Sequence, residues 1–126
     1  MQGSAGVCFT KTPESHKHMV IEACLGLGEA LVSGAVTPDN YIVNRDMLNV
    51  DKTSIGYQKV MLKKSEYEPV PFHKRNAKKL TNPEIEELSR IALKIEQSLK
   101  FNAADIEWAF EKEELYILQA REFTGI

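Results

Sequence analysis

Short apolar runs separated by polar, turn-forming stretches fill the first two thirds of the chain, and the period of two that marks a half-buried strand recurs in them. Gly6-Val7-Cys8-Phe9-Thr10, Met19-Val20-Ile21-Glu22-Ala23 and Tyr41-Ile42-Val43 read as strands on this basis. Between Asn49 and about Val70, Thr53-Ser54-Ile55-Gly56-Tyr57 and Lys59-Val60-Met61-Leu62 give shorter strand-like stretches. After Thr81 the period lengthens. Ile85, Leu88, Ile91, Ala92, Ile95 and Leu99 recur at three and four, which predicts a helix over about residues 82–100 with one apolar stripe against a sheet. Thr81 and Glu84 have capping-box spacing, Pro83 falls in the first turn, and Leu80 with Ile85 fits a hydrophobic staple. The pattern is α+β: a mostly antiparallel sheet, one long packed helix and a C-terminal hairpin.

That hairpin carries the densest candidate chemistry. Asp105-Ile106-Glu107-Trp108-Ala109-Phe110 and Leu115-Tyr116-Ile117-Leu118-Gln119-Ala120-Arg121 flank the polar turn Glu111-Lys112-Glu113-Glu114. Residues two apart on a strand share a face, so Asp105 goes with Glu107, and Gln119 with Arg121. Antiparallel partners have numbers with a constant sum, and the pairs Asp105–Arg121 and Glu107–Gln119 share one sum, so a single register brings all four together. Its centre falls on Glu113, which predicts an odd loop of about three or five residues. Two carboxylates, an amide oxygen and a planar guanidinium match what a Mg-nucleotide requires, since Mg²⁺ takes one or two carboxylates plus phosphate oxygens and Arg grips phosphate with two donors. The same spacing also suits a solvated strand face with a surface ion pair.

Composition narrows the classes. The chain has 126 residues, about one domain, with 16 basic and 18 acidic residues and a formal charge of −2. That balance argues against a nucleic-acid partner held by phosphate attraction. There is neither a membrane-spanning apolar run nor a signal-peptide plan, so the reading is a cytoplasmic protein with no membrane partner. Cys8 and Cys24 sit in apolar runs and read as buried free thiols. His16 and His18 lack the further ligands a metal would need. Gly26-Leu27-Gly28-Glu29 follows a strand; it is either a tight strand-to-helix turn or a place where backbone approaches a ligand, with Glu29 placed to reach a ribose or a metal. Lys63-Lys64 and His73-Lys74-Arg75 read as solvated basic surface. The first strand opens almost at residue 1, which reads as a cut within a longer protein.

Five segments in order then carry a resemblance: Gly-Val-Cys-Phe-Thr-Lys-Thr-Pro-Glu-Ser (6–15), Ile-Glu-Ala-Cys-Leu-Gly-Leu-Gly-Glu (21–29), Val-Ser-Gly-Ala-Val-Thr-Pro-Asp (32–39), Asp-Ile-Glu-Trp-Ala (105–109) and Leu-Tyr-Ile-Leu-Gln-Ala-Arg (115–121). Together they closely resemble the nucleotide-binding domain of the phosphoenolpyruvate synthase and pyruvate phosphate dikinase family, over nearly the whole chain. The resemblance implies an ATP-grasp fold, with residues 1–126 as one domain forming the second subdomain only. It implies nucleotide contact at Glu29, metal-holding near the phosphates at Glu107 and Gln119, and assistance to phosphoryl transfer from Asp105 and Arg121. Mg²⁺ is the implied cofactor and ATP the implied substrate, with the phosphoryl group passing to a carrier histidine in another domain and then to pyruvate.

The partners so implied are the first ATP-grasp subdomain, which supplies a Lys and an Arg to the phosphates, a phosphohistidine domain and an acceptor domain. A rifampicin-type antibiotic phosphotransferase shares this domain and differs in its acceptor, and a non-catalytic nucleotide-binding module is the alternative from outside that class. Neither His16, His18 nor His73 lies in the family's phosphohistidine motif. The family commonly has Pro after the Gln-x-Arg motif, where this chain has Glu122, a carboxylate that either weakens Arg121's hold on phosphate or points to the opposite face.

Overall fold

The computed structural model describes residues 3–125. Six strands form one antiparallel sheet: β1 (Ser4–Phe9), β2 (His18–Leu25), β3 (Asp39–Asn44), β4 (Val50–Ser54), β7 (Ala104–Glu111) and β8 (Glu114–Glu122), in the order β4-β3-β2-β1-β7-β8. A separate hairpin of β5 (Val60–Lys63) and β6 (Glu66–Pro69) lies outside it. Two helices complete the described residues, the one-turn α1 (Glu29–Val32) and the long α2 (Asn82–Ser98), with a 3₁₀ turn at Phe72–Lys74. This is the α+β, mostly antiparallel arrangement expected of an ATP-grasp-like second subdomain.

Alternation along each strand gives the sheet two distinct faces. On one, Cys8, Met19, Ile21, Ala23, Tyr41, Val43, Ala104, Ile106, Trp108 and Phe110 meet Leu80, Ile85, Leu88 and Ala92 from the α2 region in a single buried core. Each Ile or Leu buried there stabilises by about 1.5–3 kcal/mol. Gly6 is obligatory in this layer because a Cβ would sit 1.8 Å from the Glu22 carbonyl oxygen and 3.0 Å from Trp108 Cζ2. The other face carries Val7, Phe9, Val20 and Ile42, all half-buried. Phe123 covers Phe9 there, with ring centroids 5.0 Å apart.

The start of α2 follows the capping box: Thr81 Oγ1 accepts from the Glu84 backbone N–H at 3.3 Å, and the Glu84 carboxylate accepts from the Thr81 N–H at 2.8 Å. The predicted stripe holds through Ile85, Leu88 and Ala92 and then turns. Ile91 is only partly buried and Leu99, at the C-cap, is exposed, while Ser89 and Glu96 are buried in their stead. The cause is a polar anchor. The Glu96 carboxylate accepts from both Arg45 Nη groups, at 2.8 and 3.0 Å, and from the Thr10 hydroxyl, which draws that side of the helix inward. A second anchor joins Asp39 to the Lys79 ammonium at 2.7 Å and to the Tyr41 hydroxyl at 2.6 Å, with Lys79 also donating to the Gly56 carbonyl.

Two sequence expectations need correction. Residues 55–57 are not strand, because Gly56 donates its N–H to the Asp39 carboxylate and lies too close to the Thr37 and Pro38 carbonyls for a side chain, which pulls the chain out of the sheet after Ser54. The C-terminal hairpin closes on a two-residue turn, Lys112 and Glu113 with φ of 51° and 68°, instead of an odd loop. The odd residue is absorbed further along. A bulge between Glu107 and Trp108 leaves Leu118 extra on β8, so the register at the tip and the register at the acids differ by one.

Candidate functional site

The bulge decides the site. Without it, Leu118 would face Glu107 and the tip's register would carry Gln119 and Arg121 to the core face. With it, Glu107 pairs directly with Gln119 and Asp105 with Arg121, the register inferred from the sequence. All four lie on the face away from α2. Directly opposed side chains have Cβ atoms roughly 4.5–5.5 Å apart, and the outer pair closes fully, with Arg121 Nε donating to Asp105 Oδ2 at 3.1 Å. Asp105 is largely buried at 15% side-chain exposure whereas Arg121 stands out at 63%, so the guanidinium's two Nη groups, which make no protein hydrogen bond among the described residues, remain available.

Glu122 takes no part in this face. It pairs with Ala104 on the core-facing parity, and its carboxylate accepts from the Asn102 N–H at 3.3 Å. Of the two possibilities its sequence position left open, the structure therefore gives the second.

Glu29 reaches the same face from the glycine turn. The segment Gly26-Leu27-Gly28 folds back over β1, with Gly26 at φ 81° and Gly28 close enough to place a Cβ 3.6 Å from that of Ala5. Glu29 is the first residue of α1 and is exposed. The turn's amides are only partly free: Gly26 N–H goes to the Gly3 carbonyl and Leu27 N–H to that of Leu62. This turn is therefore a close backbone approach more than an anion cradle. A cleft of about 660 Å³ opens between it and the sheet, lined by Glu29 and Val32 from α1, Ala5 and Val7 from β1, and Glu107, Ala109 and Glu111 from β7, with Leu118 at its edge. Asp105, Gln119 and Arg121 do not line it. They stand beside Glu107, next to one end of the cleft.

Glu107 and Gln119 offer one carboxylate and one amide oxygen as an adjacent pair, the hard-oxygen set that suits Mg²⁺ held largely by phosphates and water. Among the described residues no three His, Cys, Asp or Glu side chains converge into a closed metal cage. Cys8 and Cys24 are both buried free thiols, as read from sequence, and burial pushes their pKa values up to about 12 and about 11, which keeps them protonated. His18 joins Ser15 Oγ and Asp51 Oδ2, at 2.9 Å each. No helix among the described residues is long and apolar enough to cross a membrane.

Sequence reasoning passed over two features. Glu22 lies on the open face in the row Glu107–Val7–Glu22, half-buried and without a partner for its carboxylate among the described residues, and burial raises its pKa. The signal was available: an acid in the middle of an apolar strand. The second is Lys63-Lys64, which lines the cleft, with Lys63 half-buried and Lys64 exposed to solvent. Only tertiary contact could reveal that.

The sequence matches, over residues 1–126, the family model described as pyruvate phosphate dikinase, AMP/ATP-binding domain. It is 42% identical across 97% of its length to a probable phosphoenolpyruvate synthase of Methanocaldococcus jannaschii, of which the match covers 11%. An uncharacterized phosphotransferase of Bacillus subtilis is 34% identical over 97% of this chain and 15% of its own length. A prodigiosin synthesizing transferase of Serratia marcescens is 32% identical over 96% of this chain and 14% of its own. The chain thus spans less than one fifth of the length of each of these relatives.

Proposed function

Because this chain belongs to the pyruvate phosphate dikinase AMP/ATP-binding domain family, we propose that it is the second ATP-grasp subdomain of a larger phosphotransferase, a single domain over residues 1–126. Mg-ATP bound on its open face supplies the phosphoryl group for a carrier histidine in another domain, and pyruvate is the acceptor that follows. The observation that supports this most is the convergence of Asp105, Glu107, Gln119 and Arg121 on one face, beside a cleft walled by Glu29.

Each side chain has a role its surroundings suit. Glu29 contacts the nucleotide from the glycine turn, and the cleft receives it. Glu107 and Gln119 would hold the Mg²⁺ that accompanies the phosphates, and that ion would supply positive charge to offset theirs. Asp105 holds Arg121 through Nε, which orients the guanidinium and leaves its Nη groups to pair with phosphate oxygens as charge shifts in transfer. Such positioning and charge stabilisation is most of what a protein contributes to phosphoryl transfer. The first subdomain's Lys and Arg, the phosphohistidine domain and the acceptor domain lie elsewhere in the whole protein.

The prodigiosin synthesizing relative favours a second reading in which the same domain serves an acceptor other than pyruvate, as in a rifampicin-type phosphotransferase. The nucleotide half of the reaction is unchanged. The test is histidine phosphorylation by the whole protein with Asp105→Asn and Arg121→Ala. The reading expects losses of about 10²–10³-fold with the fold intact. Wild-type phosphorylation rates in both variants would leave only a non-catalytic nucleotide-binding module.

A further inference from the structure

We infer that Lys63 and Lys64 form a cationic wall of the cleft that contacts the phosphate chain of the bound nucleotide, so that this subdomain supplies phosphate-binding cations of its own. The inference rests on the nucleotide reading above and adds to it two residues outside the hairpin and the glycine turn.

The first ground is placement. β5 runs beside the glycine turn through a parallel bridge between Gly26 and Leu62, and the Leu27 N–H donates to the Leu62 carbonyl at 2.9 Å. Lys63 ends β5 and Lys64 follows in the turn to β6; both line the same cleft as Glu29 and Glu107. The second ground is rigidity. Leu25, Met61 and Val70 pack as a small core beneath the hairpin. The buried Gln58 side chain accepts from the Leu25 N–H at 2.9 Å and donates to the Leu25 and Val60 carbonyls at 3.0 and 2.9 Å. A hairpin pinned in this way holds its lysines at a fixed wall, so less ordering entropy is lost when a ligand binds.

The third ground is charge. The cleft lining includes three acids, Glu29, Glu107 and Glu111, and its only cationic side chains among the described residues are Lys63 and Lys64. Neither lysine is engaged in an ion pair with a described residue. A triphosphate entering a cleft walled by carboxylates is repelled unless cations offset them, and ammonium groups on flexible stems serve that purpose as point charges. The basic pair is thus left free on the side of the cleft where an anionic ligand needs it.

The test compares the chain with its Lys63→Met/Lys64→Met double variant by residue-resolved NMR titration with Mg-ATP, tripolyphosphate with Mg²⁺, and adenosine. Methionine keeps most of the side-chain length and removes the charge. The inference expects the apparent dissociation constants for ATP and tripolyphosphate to rise at least about fivefold, with adenosine shifts and the unfolding midpoint unchanged. Unchanged ATP affinity in the double variant, or an equal loss for adenosine, overturns it. If wild-type ATP perturbs no residue around Glu29 and Glu107, the nucleotide reading itself fails and this inference with it, whereas wild-type binding that the variant retains defeats this inference alone.

Discussion

The two faces of the central sheet are built from the same strands and obey opposite rules. Toward α2, apolar side chains close the core, and the charges at its margin are met: Glu96 by Arg45 and Thr10, Asp39 by Lys79 and Tyr41. The indole N–H of Trp108 is the one buried side-chain donor without a partner among the described residues. On the open face, Glu22, Glu29 and Glu107 make no ion pair among the described residues, and Asp105–Arg121 is the closed pair. A fold selected for stability alone would not leave half-buried acids unpaired on one side while satisfying charges carefully on the other. The contrast supports the proposal that a ligand completes the electrostatics of the open face.

The largest expected effect separates function from stability. Arg121→Ala lowers phosphoryl transfer in the whole protein about 10²–10³-fold, equivalent to roughly 3–4 kcal/mol. Its unfolding free energy changes by about 1 kcal/mol or less, because Arg121 is itself 63% exposed and water can take its place beside Asp105. Equal losses of activity and stability would show that the open face is structural after all.

Glu96→Ala is the mirror experiment. It strands the Arg45 guanidinium, only 18% exposed, and removes the link to Thr10, at a cost of about 3 kcal/mol with nucleotide affinity unaltered. Burial alone would raise the Glu96 carboxyl, but the hydrogen bonds from Arg45 and Thr10 outweigh it and hold its pKa below the ordinary glutamate value. A depressed acid contributes stability that is present above its unfolded pKa and is lost as pH falls through the folded value. Chemical denaturation at neutral pH and below about pH 4 should therefore show the gap between wild type and variant narrowing in acid.

Legibility of the sequence divides along the same two faces. The helix was readable because Thr81, Glu84 and the staple write its start locally, and its spacing marks the core side. Its last turns were not, because Glu96 is buried through Arg45, 51 residues away. The register that groups Asp105, Glu107, Gln119 and Arg121 was legible from parity, yet for an incomplete reason: the turn is two residues long, and the bulge at Leu118 restores the pairing. Whether an extra residue sits in a loop or in a strand leaves the same arithmetic at the far end. Glu29 was placed by its turn, whereas Lys63 and Lys64 depended on where a hairpin docks, which no local pattern encodes.

Smaller effects sharpen the comparison. Thr81→Ala removes the N-cap acceptor of α2 and should cost about 1 kcal/mol of stability by urea unfolding, again without touching nucleotide affinity. Glu22→Gln should act with the opposite sign. Burial raises the Glu22 pKa, so the folded state favours the protonated form, and that advantage is lost as pH rises through the raised value. The variant should be more stable than wild type at neutral pH, by less than about 1 kcal/mol because solvent screens a half-exposed charge, and the difference should vanish in acid. A destabilised variant at neutral pH would mean that Glu22 has a partner on the open face after all.

The most direct measurement of the central claim is a residue-resolved NMR titration of the chain with ATP, with and without Mg²⁺. The account predicts Mg²⁺-dependent shifts at Glu29, Glu107, Gln119 and Arg121, none along the outer surface of α2, a dissociation constant no tighter than roughly millimolar, equivalent to about 4 kcal/mol, and no turnover. Shifts confined to α2, no shifts at tens of millimolar ATP, or micromolar binding with histidine phosphorylation by the chain alone would contradict it.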